Sequence, residues 1–143
     1  MSKIPGSYLP PKELWPQRIY TLPEYARYPQ QLNSTEELVD RHVEAGRGDK
    51  IAILFEDQKI TYRQLQASVN KLGSALQGLG VEAEDRVLLR CPSIPPAIVS
   101  NFAAIKIGAV VVPTSPLFSR TELVHVAANT DAVALIVAAG LLD

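Results

Sequence analysis

The sequence predicts an α/β domain built in three layers, α/β/α, around a mainly parallel sheet, a partial domain preceded by an N-terminal arm rich in proline and aromatic residues. Three observations carry that prediction. The apolar run RVLLR (86–90) lacks the alternation of a half-exposed strand and reads as buried on both faces, AVVV (109–112) reads as the next strand, and ALIV (134–137) as one more buried strand. Segments with helical period and helix-end signals separate them. Strands alternating with helices of that length pair in parallel through right-handed crossovers.

The arm comes first. Six of the eleven prolines and five of the nine aromatic residues fall within the first 29 positions, which rules out a regular helix or central strand there. Tyr8, Trp15, Tyr20, Tyr25 and Tyr28 give the segment apolar surface to lay on the domain or on a partner. Residues 1–32 are therefore expected to form an extended arm and residues 33–143 the folded part.

Each later element has its own signal. NSTEELVDRHVEAGRG opens with Ser34 three residues before Glu37, a capping-box pattern, and reaches Gly46, so a helix of about three turns is expected. IAILFEDQKITY reads as a hairpin, with the first strand over Ile51 to Phe55. Tyr62, Leu65, Val69, Leu72, Leu76 and Leu79 then repeat at helical spacing on one face; Thr61 with Gln64 caps that helix and Gly80 ends it. After RVLLR, a helix starting near Ser93 to Pro96 is expected to turn Ile98, Phe102 and Ile105 inward. Lys106 lies in its last turn, where the helix dipole favours a cation, and Gly108 supplies a left-handed turn. Pro113 and Pro116 are expected to stop the next strand, and Ser119 with Glu122 to cap another helix.

Composition narrows the function. The chain has 143 residues and a formal charge of -1, with scattered basic residues and no cluster suited to nucleic acid. Cys91 is the single cysteine, which suits a reducing compartment, so a cytoplasmic location is expected. The longest apolar run, AVALIVAAGLL, falls short of the ~20 residues that span a bilayer, so no membrane partner is expected.

Candidate reaction groups do not assemble into a set. Gly78-Leu79-Gly80-Val81-Glu82-Ala83 matches a loose dinucleotide pattern but closes a helix, whereas a phosphate-binding turn must follow a strand and open one. Cys91 and Ser93 stand beyond the carboxyl end of RVLLR, where ligands of open α/β sheets collect, yet no base lies nearby in sequence. His125 and His42 are far apart and suggest no metal site. Glu82, Glu84 and Asp85 read as a solvated turn, and no G-x-x-x-x-G-K-[ST] pattern is present. Catalytic, cofactor-binding and metal-binding residues are each expected to be none.

Two stretches resemble a known family. ITYRQL (60–65) is similar to the "T-Y-x-E-L" helix entry of the adenylate-forming acyl-CoA synthetases, and AIKIGAVVVPTSPLFSRTEL (104–123) to their "L-K-x-G-A-x-x-V-P-x-N-P" segment. Gln64 and Ser115 depart from that pattern, at positions with no catalytic role in it. The arm and first helix resemble the start of bacterial aryl-CoA ligases of the benzoate and 2-aminobenzoate type. The resemblance implies a parent enzyme that uses ATP, Mg2+ and coenzyme A to turn a carboxylic acid, aromatic by the finer match, into an acyl-adenylate and then a thioester. It implies that 33–143 is the first part of a truncated adenylation domain, whose partner is the remainder of the ligase chain. The phosphate loop, the acidic ribose-binding residue and the catalytic lysine of the family have no counterpart here, and Lys106 matches a scaffold lysine. The segment alone is expected to be inactive and to bind none of these cofactors. A short interaction module that pairs with a chain carrying the phosphate loop is the alternative.

Overall fold

The computed structural model describes residues 10–17, 19–29 and 31–142. The chain divides into two compact units, 1–32 and 33–143. Among the described residues of the first, two short 3-10 turns form, Lys12–Leu14 and Pro23–Arg27, the second opening on a proline whose missing N–H has no helical role at that position. Trp15 Nε1 donates to Pro10 O at 2.8 Å, and the rings of Tyr20 and Tyr25 lie 5.3 Å apart. Tyr8 falls outside the described residues.

The second unit begins with a helical segment of π character, Glu36–Asp40 and Val43–Arg47. Its cap is Asn33, not the expected Ser34. Asn33 Oδ1 accepts from the amides of Thr35 (3.0 Å) and Glu36 (3.4 Å), while Glu37 is held by Arg41 one turn on. Asn33 prevails because its amide also reaches another helix end, described below. A hairpin follows: β1 (Ile51–Phe55) pairs antiparallel with β2 (Gln58–Thr61) around Glu56, which adopts a positive φ of 50°. The hairpin forms a two-stranded sheet of its own.

Helix α1 (Tyr62–Gly78) has the capping box read from the sequence, with Thr61 and Gln64 bonding reciprocally. Leu65, Val69 and Leu76 are buried along the expected face. Leu79 is not part of it: this residue follows the helix end and is 82% exposed. Strand β3 (Arg86–Arg90), helix α2 (Pro95–Lys106), strand β4 (Val110–Thr114), helix α3 (Arg120–Thr130) and strand β5 (Ala134–Val137) complete the body. The strands form one parallel sheet in the order β4-β3-β5, so β3 is central and buried, as its sequence implied.

Three expectations change here. The buried residues of α2 are Pro95, Ser100, Ala103 and Ala104; Phe102 and Ile105 are half-buried and Ile98 is exposed. The reason is close approach, since a Cβ on Gly73 of α1 would lie 3.3 Å from Ile107 and 3.6 Å from the Ala103 carbonyl oxygen. Ala103 and Ile107 meet Gly73 at that contact, while Phe102 still packs inward against the core of Val39, Leu65, Val69 and Ala103. Pro113 does not stop β4 but lies within it, opposite Leu89, tolerated because β4 is an edge strand. Finally, β5 is an edge strand with Leu135 54% exposed, not a strand buried on both faces.

The core has two joined parts. Val87, Leu76, Val81, Ala104 and Ala109 fill the space between the sheet and α1/α2, and Val39, Leu65, Val69 and Ala103 tie the first helical segment to both helices. α3 lies on the other face and has no buried residue. The three layers are thus present but unequally packed.

Candidate functional site

The strand order makes β3 a switch point. The chain leaves β3 through α2 on one face and leaves β4 through α3 on the other, and in open α/β sheets ligands collect outside the carboxyl ends at such a place. Arg90, Cys91 and Ser93 lie there, with the loop 115–119 that follows β4.

Arg90 organises this end. Its Nη1 donates to Leu141 O at 2.8 Å, and its Nη2 to Pro116 O and Phe118 O, both at 3.1 Å. One guanidinium therefore holds the loop after β4 and the turn after β5 against the end of the central strand, while its buried Nε lacks an acceptor among the described residues. Arg86 does the same at the other end of β3, donating to Thr130 O (2.7 Å), Glu84 O (3.2 Å) and Asp131 O (3.0 Å), where it satisfies the carbonyls at the C-terminus of α3. RVLLR shows these arginines plainly; their partners, up to 51 residues away, are not legible in it.

Lys106 has a different occupation from the one its position suggested. It is the last residue of α2, with Gly108 at φ 81° beyond it, as the joint requires. Its Nζ also donates to Asp40 Oδ1 (3.0 Å) and Oδ2 (2.8 Å) and to Asn70 Oδ1, and Gln66 Nε2 donates to Asp40 Oδ1 at 2.8 Å. The Asp40 side chain is only 11% exposed and that of Lys106 25%, so the charges neutralise one another in a half-dry setting. Above this pair, Asn33 Nδ2 donates to Ile105 O (3.2 Å) and Lys106 O (3.0 Å), and Thr35 Oγ1 to Phe102 O (2.8 Å). Asn33 thus caps the start of one helix with its oxygen and the end of another with its nitrogen.

The remaining candidates stay apart. Cys91 is half-buried beyond β3 and His125 is exposed on α3, with no hydrogen bond between them among the described residues. His42 stacks on Tyr62 with ring centroids 4.2 Å apart, and its Nδ1 accepts from Arg47 Nε at 3.1 Å. Gly80, at φ 89°, follows the end of α1, so the G-x-G stretch closes a helix. Among the described residues no group of three His, Cys, Asp or Glu could hold a metal ion, and no helix is long and apolar enough to cross a membrane.

The helix starts do not suit a triphosphate. α2, which follows β3, begins with Pro95 and Pro96, which have no N–H to offer a phosphate. The start of α3 is occupied by the carboxylate of Glu122, which accepts from Ser119 N and Oγ, each at 2.7 Å; those bonds hold its pKa below the ordinary value. The described residues therefore do not fit Mg-ATP, and what they build is a frame for the carboxyl end of the sheet.

That frame belongs to a known class. The family model described as "AMP-binding enzyme" matches residues 39–143, and the chain belongs to this family. Among curated relatives, an acetyl-coenzyme A synthetase of Nostoc linckia is 42% identical over 113 residues, covering 75% of this chain and 33% of that protein. An acetyl-coenzyme A synthetase of Magnetococcus marinus is 49% identical over 85 residues, covering 55% of this chain and 13% of that protein. Of the solved structures, the anthranilate CoA ligase AuaEII in complex with anthranoyl-AMP superposes with a TM-score of 0.76 at 28% identity, covering 82% of this chain and 22% of that one. A benzoate CoA ligase from Burkholderia xenovorans gives 0.73 at 26% identity, covering 78% and 22%. The chain thus spans a third or less of the length of these relatives, and its parallel-sheet fold is that of the adenylate-forming ligases.

Proposed function

We propose that this chain is the opening part of an AMP-forming acyl-CoA ligase whose acid substrate is aromatic, and that by itself it does not catalyse adenylation. The observation that carries the aryl reading is the overlay on the anthranilate and benzoate CoA ligases, which covers 82% and 78% of the chain. The acetyl-coenzyme A synthetases among its relatives share with them the joining of a carboxylic acid to coenzyme A, which sets the reaction class.

In this reading the enzyme joins a carboxylate to the α-phosphorus of ATP, releasing pyrophosphate. The thiolate of coenzyme A then attacks the acyl carbon and releases AMP. The residues described here hold no reacting atom. Arg90 and Arg86 brace the two ends of the central strand, and the Asp40–Lys106 pair locks the first helical segment to α1 and α2. Inactivity of the isolated chain is supported by helix starts that lack free amides or already hold a carboxylate. Residues 1–32 form the arm, residues 33–143 the first part of the adenylation domain, and a reducing cytoplasm suits the free thiol of Cys91.

Exchange of labelled pyrophosphate into ATP in the presence of benzoate or 2-aminobenzoate tests this. The chain alone is expected to show background only, and the native gene product, sized by intact mass, to show exchange. Exchange by the 143-residue chain would overturn its inactivity. Exchange by the native product with acetate but not with aromatic acids would overturn the aryl reading.

A further inference from the structure

The first helical segment ends in a turn that packing does not hold. None of the residues Val43–Arg47 is buried; Ala45 leaves helical geometry at ψ 15°, Gly46 is left-handed at φ 72°, and a Cβ on Gly46 would meet nothing within 4 Å. The chain is fixed again at Gly48, which is buried and whose carbonyl accepts from Arg63 N at 2.9 Å in the first turn of α1. One side-chain bond spans the loose turn. Arg47 Nε donates to His42 Nδ1 at 3.1 Å, and the imidazole lies flat on the ring of Tyr62, with 4.2 Å between centroids and 10° between planes.

An acceptor at Nδ1 requires the neutral imidazole with its proton on Nε2. The charged and titratable groups around the ring leave it that role. From its own segment Arg47 faces it, while Arg41 is turned to Glu37 and Asp40 to Lys106; from α1 Tyr62 faces it, while Arg63 is turned to Asp49. Among the described residues no carboxylate bonds to His42, so none is placed to offset a charge on the ring.

We propose that His42 and Arg47 form a pH-operated latch on the end of the first helical segment. A proton taken from solvent at Nδ1 removes the acceptor of Arg47 Nε and sets two cations side by side, which opens the 43–47 turn. A cation on a tyrosine face is favourable, so the ring stays on Tyr62 while Arg47 is released. The latch is closed while the ring is neutral and is lost as pH falls and the ring charges. It is independent of the ligase reading.

The test is nitrogen-detected NMR and hydrogen exchange on the 143-residue chain at about pH 8 and about pH 5, the range over which histidine charges. At the higher pH the His42 ring is expected to carry its proton on Nε2. At the lower pH, after correction for intrinsic rates, exchange in 43–47 and at Lys50 N–H, which donates to Arg47 O, should be at least tenfold faster, with α1 and β3 unchanged. His42→Phe, which keeps a ring on Tyr62 but has no acceptor, and Arg47→Met should each give the fast exchange at both pH values. His125→Gln, on the exposed α3 histidine, should leave the step intact. A proton on Nδ1 at the higher pH, equal exchange at the two pH values, or a step that survives in His42→Phe would each overturn the latch. The tautomer and the acid step are both read on the unaltered chain, so neither depends on a variant folding.

Discussion

The two faces of the parallel sheet follow the same connection rule and end in different states. On the α1/α2 face, Val87, Leu76 and Ala104 are at most 4% exposed, and the first helical segment adds Val39 beneath them. On the α3 face, the helix buries none of its residues and Leu135 of β5 remains half in solvent. Capping boxes open both α1 and α3, but only α1 carries a strong apolar stripe at helical spacing. A helix becomes part of a core only when a second element closes the space beside it, and α1 and α2 provide that for each other while α3 has no such neighbour among the described residues.

The contrast is open to attack by mutation. Leu76→Ala should destabilise the unit by about 3 kcal/mol in urea unfolding, as expected for a leucine lost from a closed core. Val124→Ala on α3 should change stability by no more than about 0.5 kcal/mol. Equal effects would mean that the α3 face is as closed as the other.

Asp40→Ala leaves the half-buried Lys106 without its carboxylate and should cost roughly 3 kcal/mol. Asp40→Ala combined with Lys106→Met should recover part of that loss. A double variant no better than the single one would show that Lys106 is already neutral or solvated.

The two capping boxes compare the faces directly. Thr61→Ala and Ser119→Ala each remove a cap contributing about 1 kcal/mol. The first should lower global stability, because α1 carries the core. The second should speed hydrogen exchange only within α3. Global loss from Ser119→Ala would show α3 to be integral to the folding unit.

The smallest effect is that of pH. Glu122 has a pKa lowered by its bonds to Ser119, so the stability it gives α3 is fully present above the ordinary carboxylate pKa. It is lost as pH falls through the lowered value. Exchange in the first turn of α3 should therefore accelerate, beyond its intrinsic pH dependence, on acidification below that range, and Glu122→Gln should abolish the extra change.

Much of this architecture was readable in the chain. The hairpin, both capping boxes, the central strand RVLLR and the turn at Gly108 follow from local chemistry, in which the deciding atoms are within a few residues of one another. The errors share a cause. Ile98 reads as a core residue by hydrophobicity, but the Gly73 approach brings Ala103 and Ile107 inward instead, and that contact is between helices. Ser34 looks like the cap until Asn33 is seen to bond the far end of α2, 72 residues away. ALIV reads as buried, yet its burial depends on what lies beside it in the sheet.

Local chemistry is enough to say which segments are helix and strand, how α1 and α3 are capped, and that strands cross over in parallel, because dihedral preference and hydrophobic period act over one or two turns. Only the tertiary structure decided that Lys106 is bound to Asp40, that Arg90 clasps the loops after β4 and β5, and that one face of the sheet is closed while the other is open. Ion pairs, carbonyl clasps and packing depend on distances between residues far apart in the chain, and those distances exist only once the layers have met.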